Sequence, residues 1–397
     1  MTLLLVAGVF GTNASANEYT IGLMCDRSGV TGTIGNLICP GFHDYIRLFN
    51  KQNRLPGHTL KVMEIDHGYN VPRGVEAYER FKAAGVMTIA LYGTPHTVAL
   101  TPKLSEDHIL GTSPGFGSAA GANGERFPYL FPAAASYWSQ VASAVQFIQN
   151  NWKGSTQPKI AYIYYDNPAG REPLTIIGDL QKQLGFELQT YAVPAPGIEM
   201  RPQVLDITRK FKADWVVAHF FGQTGVALKE FSRMGHPREQ MIGLVWAGGE
   251  SDMKVAGWDK ADGYYTVQMA HVGKDHPVNQ EIVAMYKAEG KAPPEEMELS
   301  VYYNRGVSWA ALHSEAIRAT VESKGPNITP ADVKNAMERI NGYSERNFMP
   351  PFKMSPQDHE GGGYVRIFQV HDGGFRAASD WMQGYRDVVM KHVVSGE

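Results

Sequence analysis

Tyr19–Phe49 reads YTIGLMCDRSGVTGTIGNLICPGFHDYIRLF, and its three parts decide the fold. Tyr19–Met24 is an apolar run of strand length. A Gly- and Thr-rich loop follows, and beyond it Phe42, Tyr45, Ile46 and Phe49 recur at the spacing of one helical face. Strand, small-residue loop and helix together make one unit of an α/β sheet. The plan then repeats. Leu60–Ile65 is a strand; Pro72 starts a helix with Val75, Tyr78, Phe81 and Ala84 on one face; Val86–Leu91 is the next strand. Thr94 is expected to cap a further helix whose first residue is Pro95, where a missing N–H costs nothing. Val141, Val145, Ile148 and Trp152 mark another amphipathic helix, and Ile160–Tyr164, Val216–Phe220 and Met241–Trp246 are strand-length apolar runs. Runs without strict alternation suit parallel strands covered on both faces, joined by right-handed crossovers. Thr329-Pro330-Ala331-Asp332 is a capping box that opens a helix through Ile340.

Upstream of this unit, Leu3–Phe10 has the length of a signal-peptide apolar core, and Ala14-Ser15-Ala16 marks cleavage before Asn17. Residues 1–16 are therefore read as a leader and the mature chain as exported to the periplasm. The leader carries no Lys or Arg, so a truncated start is expected. At 397 residues the chain exceeds one compact core, which predicts two lobes, with a boundary near Ala133–Ser136. After the leader no stretch is apolar enough to span a bilayer, so the protein is not expected to be membrane-embedded. A net charge of -3 offers no field for nucleic acid. Forty-two Gly, 23 Pro and 43% hydrophobic residues fit a folded protein with many short connections. Cys25 and Cys39 are the whole cysteine content, which excludes a disulfide scaffold and every multi-cysteine metal site. In an oxidising compartment the two could pair, since one sits at a strand end and the other early in the next helix; as separate thiols they would be buried core residues.

Candidate catalytic patterns fail on their chemistry. Gly111-Thr112-Ser113-Pro114-Gly115 has the letters of a nucleophile elbow, yet the oxyanion hole needs the N–H of the residue after Ser, and Pro114 has none. Gly115–Gly121 has the wrong glycine spacing for a dinucleotide loop. The 13 His residues form no zinc pattern, and Cys25 inside a strand unit is a structural position. No enzyme activity, metal or cofactor is expected. What remains is a set of loops at strand C-termini, where open α/β sheets bind ligands: Asp26–Thr33, Gly93–Thr97, Ser113–Ser118, Asp166–Arg171, Phe221–Thr224 and Trp246–Glu250. Free N–H groups at a helix start such as that of Thr94 would hold a carboxylate.

Ile21-Gly22-Leu23 with Ser28-Gly29 and Gly35, Asp66 with Pro72, Arg126–Pro132, and Tyr303-Asn304-Arg305-Gly306 leading to Glu315-Ala316-Ile317 resemble the periplasmic solute-binding proteins of the leucine/isoleucine/valine type. Asp358-His359 through Val365, Gln369-Val370, Asp372-Gly373 and Trp381 fit the same family, so the resemblance spans nearly the whole mature chain. It implies a type I periplasmic binding protein: two Rossmann-like α/β lobes with parallel central sheets, joined by three crossover strands. It divides the chain into 17–135 plus about 271–345, and 136–270 plus about 346–397. It also implies a small carboxylate ligand enclosed by hinge closure, a monomeric receptor, and a partner, the membrane permease of an ATP-driven (ABC) importer. The family's contact positions fall on Thr94, Pro95, His96 and Thr97, on Gly115, Phe116, Gly117 and Ser118, and near Ala169, Gln223 and Trp246.

Two departures bear on the ligand. Amino-acid receptors of this family place a Glu where Val245 and Trp246 stand, to hold the ligand ammonium; Glu250 or Asp252 would have to substitute. A family tyrosine near Ala169 is missing, which widens the cleft. Trp246, Phe116, Phe220, Tyr302 and Tyr303 could line it, which favours an aromatic or otherwise apolar carboxylate over a branched-chain amino acid. The rivals are a ligand-sensing regulator of the same fold, against which the leader speaks, and an amidase or hydrolase.

Overall fold

The computed structural model describes residues 17–396; the leader with Leu3–Phe10 and Ala14-Ser15-Ala16 lies outside them. The first sheet contains β1 (Glu18–Cys25), β2 (Thr59–Asp66), β3 (Thr88–Ala90), β4 (Leu110–Thr112) and β5 (Leu130–Phe131), ordered β2-β1-β3-β4-β5 and parallel throughout. Its connections carry α1 (Gly32–Lys51), α2 (Val71–Ala83) and α3 (Thr94–Asp107). Ile21, Leu23, Met24 and Cys25 are all fully buried, so β1 is covered on both faces, as its lack of alternation requires.

The chain then runs through α4 (Tyr137–Asn151) into β6 (Lys159–Tyr165), β7 (Glu187–Val193), β8 (Trp215–His219), β9 (Met241–Gly243) and β10 (Tyr265–Gln268). After a ribbon of β11 (Asn341–Tyr343) and β12 (Phe352–Lys353), β13 (Arg366–His371) and β14 (Gly374–Ala377) complete the second sheet, ordered β14-β13-β10-β9-β8-β6-β7. Its β6–β10 pairs are parallel, while β13 and β14 are antiparallel additions at one edge. The architecture is thus two α/β lobes with parallel-dominated sheets. The chain passes between them after Phe131, after Gln268 and after Lys353. These passages are tied together: the Ser136 N–H donates to Glu360 at 2.5 Å, Arg386 pairs with both Asp358 and Glu360, and the His359 ring stacks on Phe131 with centroids 3.6 Å apart.

Several elements are shorter than the apolar runs that announce them. Within Val86–Leu91 only Thr88–Ala90 is strand, and within Met241–Trp246 the strand stops at Gly243 because Ala247 turns back to bond the Leu244 carbonyl. The Thr329–Asp332 capping box is present with both reciprocal bonds, but its helix ends at Met337 rather than Ile340. Among the described residues no helix is long and apolar enough to cross a membrane. The long helix Ser300–Lys324 lies along α1 so closely that a methyl on Gly41 would stand 2.1 Å from the Tyr303 carbonyl oxygen, and one on Gly306 1.8 Å from that of Ile38. Further along, His313 bonds Thr88 and Thr112 at 2.7 Å each, which fastens this helix to the first sheet.

Cys25 and Cys39 form a disulfide, with Cα atoms 6.5 Å apart and a sequence separation of 14. It ties the end of β1 to the middle of α1 across the loop that the fold-deciding stretch contains. Closing a loop of this size restricts the unfolded chain by about 3 kcal/mol. The Cys25→Ala/Cys39→Ala variant is expected to unfold at a lower urea midpoint by that amount, and the native protein in reductant should move toward the same value.

Candidate functional site

Between the lobes lies a narrow cavity walled by Thr31, Ile34, Tyr69, Tyr92, Gly93, Thr94, Phe116, Tyr137, Phe221 and Trp246. Each wall residue follows the C-terminal end of a strand: β1, β2, β3, β4 and β5 in the first sheet, β8 and β9 in the second. Parallel strands deliver their following loops to one edge, which is why residues so far apart in sequence meet there.

The rings form a continuous wall. Tyr92 meets Phe116 at 5.8 Å between centroids, and Phe116 meets Trp246 at 5.7 Å, the second contact bridging the lobes. Trp246 is backed by Tyr302, whose ring lies 6.0 Å away and whose hydroxyl donates to the Trp246 carbonyl at 3.0 Å. Phe116 owes its position to the glycines beside it. Gly117 has φ +91°, and a Cβ there would stand 2.7 Å from Thr97 Cγ2. The Gly117 N–H donates to Thr94 Oγ1 at 3.2 Å, Ser113 Oγ donates to the Phe116 carbonyl at 2.8 Å, and Gln140 Nε2 donates to the Gly115 carbonyl at 3.0 Å.

Of the residues expected to touch a ligand, Thr94, Phe116 and Trp246 line the cavity. The others surround it. Gly115, Gly117 and Ser118 shape the Phe116 loop; Pro95 continues α3; Thr97 Oγ1 donates back to the Gly93 carbonyl at 3.1 Å. His96 stacks against His67 with centroids 4.0 Å apart and meets the Tyr69 ring edge-on. Ala169 is buried in the short helix Pro168–Arg171, and Gln223 holds the Phe221 N–H at 2.9 Å, so it positions a wall residue. Thr94 is not the cap of α3: Gly93 occupies that position with φ +95°, and Thr94 is the first helical residue with its hydroxyl turned to Gly117. Phe220 is sealed in the core, and Tyr303 donates to Asp44 at 2.7 Å, so neither lines the cavity. Ile34, Tyr69, Tyr92 and Tyr137 are wall residues that sequence reasoning passed over.

Neither acid expected to replace the missing Glu reaches the cavity. Glu250 accepts from Ser300 Oγ at 2.7 Å and from the Val301 N–H, capping the long helix across the gap between lobes. A carboxylate is stabilised there by the unpaired N–H groups of the helix start. Asp252 is buried and held by the N–H groups of Gly225 and Gly249; burial nonetheless lifts its carboxyl to about 7. Asp26, near the cavity rim, is saturated by the N–H groups of Gly29 and Thr31 and the Thr31 hydroxyl. The polar groups of the wall are therefore hydroxyls and an indole. Burial pushes the Tyr137 phenol far above its ordinary range, with hydrogen bonding from Thr94 and Trp246 pulling the other way.

Glu172 bridges the lobes behind this wall, its Oε1 accepting the Ala119 N–H at 2.5 Å while Oε2 is buried without a partner. Burial raises its carboxyl to about 8, opposed by the Ala119 N–H. Burial also keeps nearby histidines neutral: His67 falls to about 4, assisted by repulsion from His96, and His219, packed against Tyr137 and Phe221, falls to about 3.

The model of the family described as periplasmic binding protein matches residues 18–374 of the chain. The chain belongs to the periplasmic binding protein family. Among solved structures, this periplasmic binding protein is similar to an ABC transporter permease from the Pseudomonas fluorescens group, at 28% identity and a TM-score of 0.87 over 96% of this chain and 95% of the other. It also resembles a branched-chain amino acid ABC transporter from Thermus thermophilus with bound valine, at 22% identity and a TM-score of 0.82 over 96% and 100%. A fatty acid ABC transporter substrate-binding protein from Thermomonospora curvata shares the fold at 17% identity, with a TM-score of 0.78 over 94% of both chains. No curated protein sequence matches.

The raised Glu172 carboxyl has a signed consequence for this binding protein. Its folded value of about 8 lies above the ordinary 4.5, so the protonated form is favoured in the fold. Its contribution to stability is full below pH 4.5 and is lost as pH rises through about 8. Glu172→Gln is therefore expected to gain stability relative to the native protein between those two pH values and to hold a constant difference above them, read from urea midpoints across the range.

Proposed function

We propose that this chain is the extracytoplasmic receptor of an ABC importer, which closes its lobes over a small aromatic or apolar carboxylate and presents it to a membrane permease. The observation that carries this reading is the composition of the cavity wall: six aromatic rings drawn from both lobes, with hydroxyls and an indole as the polar groups and no acid among them. An ammonium group brought into such a wall would be desolvated without a partner, at a cost of several kcal/mol. A carboxylate would instead meet the hydroxyls of Thr94 and Tyr137 and the indole N–H of Trp246. The names of two structural neighbours are consistent with this, since valine and fatty acids both join a carboxylate to an apolar body.

The moving units in this reading are residues 17–135 with about 271–353, and 136–270 with about 354–397, turning about the three passages between the sheets; the boundary expected near 345 moves to follow Lys353 because β12 pairs with β11. Ligand held by one lobe gains contacts from the other on closure, and the difference in affinity shifts the two-state equilibrium. No bond is made or broken, and Ser113, the residue of the elbow-like pattern, has its hydroxyl committed to the Phe116 carbonyl.

Matched pairs test the ligand class: 3-phenylpropanoate against phenylalanine, and 4-methylpentanoate against leucine, by calorimetry and tryptophan fluorescence. The acids without the ammonium should bind at least about tenfold more tightly than their amino counterparts, and small-angle scattering should report a smaller radius with them bound. Tighter binding of leucine than of 4-methylpentanoate would overturn the carboxylate reading.

A further inference from the structure

Arg305 lies one turn beyond Tyr302 on the helix Ser300–Lys324 and is 2% exposed. Its Nη2 donates to Gln268 Oε1, while Nε and Nη1 are buried with no partner. None of its nitrogens meets a carboxylate, and Glu250, the acid whose charge it feels, is already committed to Ser300 and Val301. The guanidinium carbon stands 4.8 Å from the centre of the Trp246 ring and 5.0 Å from that of Tyr302. Burial pulls its pKa down to about 10, with Tyr302, Glu250 and Tyr137 opposing, so it remains charged at neutral pH. A cation buried without an ion pair is costly, and cation–π contact with two rings offsets only part of that cost.

Trp246, whose ring this charge faces, belongs to the cavity wall. We infer that Arg305 supplies the counter-charge for the anionic head of the ligand, acting from behind Trp246, and thereby makes the cleft select anions over neutral molecules of the same shape. This rests on the cleft being the ligand site. In a dry interior a charge acts over several ångströms with little screening, so direct contact is not required. The wall groups make the hydrogen bonds and Arg305 sets the sign of the field they work in, which makes it a positioning residue for charge.

The test uses the full chain with 3-phenylpropanoate and its neutral isostere 3-phenylpropanamide, in native, Arg305→Met and Arg305→Lys forms, by calorimetry. The native protein should prefer the carboxylate by at least about 30-fold. Arg305→Met should lose that preference by weakening the carboxylate and leaving the amide within about threefold, while Arg305→Lys keeps an intermediate preference. Equal weakening of both probes, or an unchanged carboxylate affinity, would overturn the inference. Ligand-free thermal unfolding separates the remaining cases. Removing an unpaired buried charge should leave Arg305→Met at or above the native midpoint, whereas a fall of more than about 5 °C would assign Arg305 to the scaffold and overturn the inference. If the native protein binds neither probe, the carboxylate reading of the cleft fails, and the unfolding comparison still decides whether Arg305 is an uncompensated charge.

Discussion

The cleft depends on one backbone contact, the passage of the long helix Ser300–Lys324 across α1 at Gly306 and Gly41. With a methyl at either position landing about 2 Å from a carbonyl oxygen, no other residue permits this approach without moving a helix. Two glycines inside helices cost about 1 kcal/mol each against alanine, and the apolar burial along the contact offsets it. Because α1 carries Ile34 and follows the loop that ends in Thr31, and the long helix carries Tyr302 and Arg305, the contact fixes two sides of the cavity relative to one another. His313, bonded to Thr88 and Thr112, extends the same rigid body to the strands from which Tyr92 and Phe116 emerge.

Against this body the second lobe is held by polar contacts that involve no ligand. Glu250 caps the long helix, the Tyr302 hydroxyl holds the Trp246 carbonyl, Glu172 receives the Ala119 N–H, and Gln140 spans from Gly115 to the Val245 N–H. Each is directional and modest, of the order of 1 kcal/mol net. On the proposed hinge mechanism, these contacts supply part of the free energy of closure from the protein itself. The aromatic wall is the non-directional part of the same interface.

The α/β character was legible because the strand runs and helical faces of Tyr19–Phe49, Leu60–Leu91 and Ile160–Trp246 have different periods, and both periods are properties of the local chain. The position of the interlobe cavity was legible for the same reason, since the loops that wall it follow parallel strands. Which side chains face inward was not. Tyr92 directly follows an apolar strand and Tyr137 opens a helix at a lobe boundary, so no local pattern marks either, yet the tertiary arrangement turns them to the cavity. Glu250 illustrates the opposite error: it stands on the right loop with the right charge, but Ser300 and Val301, some fifty residues on, claim it first. Thr94 likewise looked like a cap until Gly93, free to adopt a positive φ, took that place. The cysteine pair was undecidable from spacing, because pairing depends on how α1 leans on β1.

The histidines bordering the cleft have a consequence for the environment such a receptor meets. His67 and His219 remain neutral down to about pH 4 and 3, and burial lowers His96 as well. Imidazoles are the side chains that ordinarily change charge between pH 5 and 8, so the silence of His67 and His219 leaves a change of charge around the cleft in that interval to the raised carboxyls of Asp252 and Glu172. Acid, not imidazole, is thus the chemistry through which a change of pH would reach this part of the molecule.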